Sequence, residues 1–130
     1  METKKNILIV TDGAESTQNI GRQIACLCKN SHVVLLEASG FCGTDLLPAD
    51  VCFFGCEEPA PPSFAYLEKI LGHINLVGRP CGIFSSKSKK ALQYLSGMVH
   101  DAELALYDEP FIADTAADIK TWVERVISRN

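Results

Sequence analysis

The sequence predicts an α/β fold, a doubly wound five-stranded parallel sheet with helices on both faces. Three observations point there. Short apolar runs rich in β-branched residues recur along the chain, and they are apolar throughout, as strands buried on both faces are. Longer segments with the spacing of one helical face lie between most of them. No internal repeat, low-complexity tract or linker interrupts the alternation, so the 130 residues read as one domain, 1–130.

The first strand is Asn6-Ile7-Leu8-Ile9-Val10. A helix follows from Ser16 to Lys29, with Ile20, Ile24, Leu27 and Cys28 on one face and Ser16 as its cap. Val33-Val34-Leu35-Leu36 is the second strand, and Val51-Cys52-Phe53-Phe54, closed by Gly55, is the third. Between them Glu37 to Asp50 contains Gly40, Gly43 and Pro48, which leaves room for a short helical turn at Thr44 to Leu47. A second helix starts near Pro62 and carries Phe64, Leu67, Leu71 and Ile74. The fourth strand is Pro80 to Phe84, and its helix carries Ala91, Leu92, Leu95 and Met98. Ala102 to Leu106 is expected as a weaker edge strand. A last helix begins near Thr115, where Thr115 to Asp118 resembles a capping box, and buries Ile119, Trp122, Val123, Val126 and Ile127.

Composition narrows the function classes. A net charge of −4 argues against a nucleic-acid surface, since phosphate backbones select basic patches. No apolar run approaches the roughly 20 residues that span a bilayer. The apolar run after the N-terminal residues is too short for a signal-peptide core, and a cytoplasmic location is expected. The six cysteines (Cys26, Cys28, Cys42, Cys52, Cys56, Cys81) sit mainly in strands and helix faces, so reduced thiols are expected. Without a C-x2-C pair or nearby histidines, no metal site is expected.

Open parallel sheets bind ligands outside the carboxyl ends of their strands. The loops of interest are 11–17, 37–44, 55–62, 85–90 and 107–114. The first, Thr11-Asp12-Gly13-Ala14-Glu15-Ser16-Thr17, opens directly into a helix, whose free N–H groups suit a phosphate. Ser16 and Thr17 add hydroxyls, while Asp12 and Glu15 repel a dianion. The same residues also read as a capped helix start that binds nothing.

Four segments carry a family resemblance. Ile7 to Ala25 (ILIVTDGAESTQNIGRQIA) resembles the opening of flavodoxins, whose strand runs into a loop of type S/T-x-T-G-x-T. Leu47 to Gly55, Arg79 to Ser85 and Ile119 to Val126 resemble that family's third strand, fourth strand and terminal helix. The resemblance spans nearly the whole chain and implies strand order 2-1-3-4-5. It also implies non-covalent FMN at the carboxyl edge, electron transfer and redox partner proteins. The implied cofactor-binding residues are Thr11, Asp12, Gly13, Ala14, Glu15, Ser16, Thr17, Gly55, Cys56, Glu57, Glu58, Ser85 and Ser86.

The phosphate motif is altered. Thr17 keeps its last hydroxyl, Asp12 and Ala14 stand at hydroxyl positions, and Glu15 stands at the glycine. Family members hold the flavin ring with aromatic side chains. Here Gly55-Cys56-Glu57-Glu58-Pro59-Ala60-Pro61-Pro62 and Ser85 to Lys90 contain none. Phe41 and Tyr107 are candidates to reach inward, and Phe64 reads as core. Glu57 and Glu58 read as a solvated loop stiffened by prolines, or as the acidic surround of a flavin. Lys87, Lys89 and Lys90 read as an exposed first helical turn or as anion ligands.

Cys56 reads as a small structural side chain or as a redox thiol, without an identifiable general base. No set of catalytic groups stands out. The chain has Gly55-Cys56 where a phosphoacceptor carboxylate would end the third strand, and it lacks a G-K-[ST] loop and a dinucleotide glycine triplet. Two functional readings stay open. One is an FMN-binding electron carrier. The other is a flavin-free protein of the same fold that uses the same edge for a partner or another small anion.

Overall fold

A computed structural model describes residues 5–74, 76–113 and 118–128. Strand β1 (Asn6–Thr11) leads into α1 (Glu15–Leu27), and β2 (His32–Glu37) follows. Two 3-10 turns, Ala38–Gly40 and Gly43–Asp45, connect it to β3 (Val51–Gly55). A third 3-10 turn, Pro62–Phe64, runs into α2 (Ala65–Leu71), then come β4 (Pro80–Ser85) and α3 (Lys89–Asp101). The chain ends with β5 (Ala105–Leu106), β6 (Phe111–Ile112) and α4 (Ile119–Ile127).

All pairings are parallel and the order is β2-β1-β3-β4-β5, as expected, with β6 also paired to β4. Period-two alternation sorts the strand residues onto two faces. Leu8, Val10, Cys52, Phe54, Cys81 and Ile83 face a core built with Leu67, Leu71, Leu95 and Val99. Ile7, Ile9, Val51, Phe53 and Phe84 face Ile20, Ile24, Trp122 and Val126. Trp122 anchors this second face against Phe53 at 5.5 Å and Phe111 at 5.4 Å, and its indole N–H donates to the Glu109 carbonyl at 2.6 Å.

Several elements differ from expectation. The edge strand splits in two. α3 runs on to Asp101, and Glu103 adopts φ 59°, the left-handed conformation that ends a helix. Only Ala105 and Leu106 then pair with the start of β4. The chain leaves through Tyr107–Pro110 and returns as β6 beside Phe84 and Ser85.

α1 begins one residue earlier than expected, with Ala14 rather than Ser16 at its cap position. The second helix opens as a 3-10 turn, with Pro61 at its cap position and Pro62 as its first residue. α2 itself ends at Leu71. Leu27 is exposed rather than part of the α1 stripe. Thr115 of the expected capping box lies outside the described residues. Asp118 caps α4, accepting from the Lys120 N–H at 3.1 Å. No helix among the described residues is long and apolar enough to cross a membrane.

No full helix covers the β2–β3 connection. Arg79 compensates by donating to the carbonyls of Leu46, Leu47 and Ala49 at 3.2, 2.9 and 2.7 Å.

Candidate functional site

The loops after β1, β3 and β4 meet at the carboxyl edge, where their strands are adjacent in the sheet. The first loop is held by its own side chains. Asp12 accepts from the Ala14 N–H at 3.0 Å through one oxygen and from the Glu57 N–H at 2.9 Å through the other. Asp12 therefore ties two loops together. Gly13 takes φ 89°, which a side chain would strain. Thr11 is buried and its hydroxyl accepts from the Gly13 N–H at 3.4 Å. Gln18 bonds the Gly13 carbonyl at 3.2 Å and the Glu37 carboxylate.

The centre of the edge is the carboxylate of Glu57. The Thr17 hydroxyl donates to it at 2.8 Å, the Ser86 N–H at 3.0 Å and the Ser86 hydroxyl at 2.5 Å. A longer contact comes from the Ser85 hydroxyl at 3.4 Å. Desolvation alone would raise the Glu57 pKa. The hydrogen bonds from Ser86, Thr17 and Ser16 outweigh it and hold the group below its ordinary range. Thr17 and Ser85 are fully buried, so Glu57 is the partner that satisfies them.

This corrects the reading of Glu57 as a solvated acid. Only Glu58, together with Glu15 and Ser16, is exposed. A pattern search cannot find the role, because the donors stand 40, 28 and 29 residues from Glu57 along the chain.

The remaining candidates divide by packing. Gly55 makes room for Phe84, whose ring atoms lie 2.2–2.5 Å from where a Cβ would sit. Ser85 also accepts from the Ser88 N–H at 3.2 Å, and Ser88 caps α3 by accepting from the Ala91 N–H at 3.1 Å. Lys87, Lys89 and Lys90 are exposed. Neither aromatic candidate lies in the β3 or β4 loop. Phe41 is buried in an edge-to-face contact with Tyr66 at 6.0 Å, and Tyr107 packs against the α4 side of the core. Phe64 is core, as expected.

Cys56 is fully buried. Burial pushes its thiol up to about 12, and the Asp12 and Glu57 carboxylates push the same way against a hydrogen bond from the Glu58 backbone. That opposes a thiolate nucleophile. Iodoacetamide at pH 8 should modify the exposed Cys26 and Cys42 quickly and leave Cys56 unmodified in the folded protein, read by peptide mass spectrometry. Rapid labelling of Cys56 would refute the burial argument.

Of the phosphate motif's hydroxyls, Thr17 keeps its place, and it is turned onto Glu57 together with the Ser85 and Ser86 hydroxyls of the β4 loop, with Asp12 beside them. Like charges about 4 Å apart repel by about 4 kcal/mol at an effective dielectric near 20. No ring from the two neighbouring loops is available to stack on a flavin. As arranged, these residues do not fit FMN.

No protein-family model and no curated protein matches the chain. Solved structures do resemble it. The flavodoxin of Streptococcus pneumoniae superposes with TM-score 0.77 at 16% identity, covering 93% of this chain and 96% of that one. A short-chain flavodoxin associated with a PDU bacterial microcompartment gives 0.79 at 12% identity, covering 96% and 97%. A Fusobacterium nucleatum flavodoxin variant bound to flavin mononucleotide gives 0.69 at 12% identity, covering 96% and 94%. The fold is flavodoxin-like.

Proposed function

We propose that this chain is a flavin-free protein of flavodoxin-like fold that uses its carboxyl edge to bind a partner protein. The carrying observation is the Glu57 carboxylate, which takes the one retained hydroxyl of the phosphate motif, that of Thr17, together with the Ser86 hydroxyl and N–H of the β4 loop. Around that closed centre the rim is charged and exposed, with Glu15 following the β1 loop, Glu58 in the β3 loop and Lys87, Lys89 and Lys90 after β4. Mixed exposed charge suits steering and register in protein association. The six free cysteines accord with a reducing compartment, the cytoplasm.

Titration with FMN, followed by flavin fluorescence and visible absorbance, tests the reading. Colourless purified protein and no saturable quenching are the expected results. A yellow preparation with stoichiometric FMN would overturn it and restore the electron-carrier reading, which the resemblance to flavodoxins, one of them bound to flavin mononucleotide, supports.

A further inference from the structure

The chain binds its own Glu57 as an anion-binding loop binds a ligand. Donors from two other loops converge on one carboxylate: the Thr17 hydroxyl at 2.8 Å from the first turn of α1, and the Ser86 N–H at 3.0 Å with its hydroxyl at 2.5 Å from the end of β4. The segment that carries Glu57 is short and restrained. Cys56 and Pro61 are buried at either side, Ala60 takes the left-handed φ of 50°, and prolines occupy 59, 61 and 62. Asp12 fixes the Glu57 N–H at 2.9 Å, so the backbone is clamped where the side chain begins.

We propose that residues 56–61 form a self-inhibitory strap, in which Glu57 is a tethered anion that fills a seat made by Thr17, Ser85 and Ser86 for an oxyanion of the phosphate class. The inference rests on the flavin-free reading and adds a reason for it. A tethered carboxylate competes intramolecularly, so free phosphate must displace a group that never leaves the site's neighbourhood. Its charge also repels any second anion. The strap holds the β3 loop on the β4 loop and keeps the edge in one shape.

The test compares wild type, Glu57→Ala and the double variant Glu57→Ala with Thr17→Val. Orthophosphate is the probe, with chloride at matched ionic strength as control. Binding is read by calorimetry and by the shift in thermal midpoint. Wild type should show no phosphate-specific shift up to about 10 mM. Glu57→Ala should gain saturable binding at least about tenfold tighter than wild type, since a repelling unit charge is gone. Thr17→Val should abolish that gain.

If Glu57→Ala does not fold, Glu57→Ser, which also vacates the seat, takes its place and the same gain is required. Equal phosphate response in wild type and variant, no gain in either variant, or a gain that survives Thr17→Val each overturns the strap. FMN binding by wild type overturns the flavin-free reading instead, so the two failures are told apart.

Discussion

Gly55→Ala should lower the stability of the fold by about 3 kcal/mol, at the upper end of overpacking costs. The added methyl would lie 2.2, 2.4 and 2.5 Å from three ring atoms of Phe84. Phe84 has nowhere to go. It is fully buried, packs edge-to-face with Trp122 at 6.5 Å, and belongs to a strand paired on both sides, with Gly55 and with Phe111. Gly55 cannot retreat either, because it is in register with Thr11 on β1 and Phe84 on β4.

Urea unfolding at constant slope measures the loss. Gly97→Ala in α3 is the control. Nothing lies within 4 Å of its added methyl, so it should stabilise by about 0.5–1 kcal/mol. A Gly55→Ala protein as stable as wild type would refute the packing account.

Glu57→Gln should cost about 2 kcal/mol at neutral pH. The amide keeps the shape, but one of its two heads is a donor facing donors, and buried Thr17 and Ser85 lose a charged acceptor. The pH dependence identifies the cause. Glu57 has its folded pKa lowered from 4.5, so its contribution is complete above that value and is lost as pH falls through the lowered one. The difference between wild type and Glu57→Gln should therefore be level from about pH 6 upward and shrink in strong acid. Urea midpoints across that range check it, and a constant difference down to about pH 2 would exclude the carboxylate as the source.

Much of the fold was legible because burial on both faces writes itself into strand composition. Ile7 to Val10, Val51 to Phe54 and Cys81 to Phe84 each lie within observed strands. Trp122, Val123 and Val126 form the expected buried stripe of α4. The split of the edge strand was less legible. A left-handed Glu103 and two short pairings have no compositional signature, because such a break is set by how the end of α3 meets β4.

At the candidate site, the inventory was legible in the chain: a strand-to-helix loop with hydroxyls at Ser16 and Thr17, carboxylates at Asp12, Glu15, Glu57 and Glu58, and edge loops without aromatic rings. The sequence also marked the carboxyl edge as the place to look, through strand order. Which carboxylate turns inward is set by packing between distant segments. Glu57 and Glu58 are adjacent and chemically alike, yet one is gathered by Thr17, Ser85 and Ser86 while the other is exposed. The choice depends on the parallel alignment of β1, β3 and β4, which brings three loops to one point, and on buried hydroxyls that need an acceptor there.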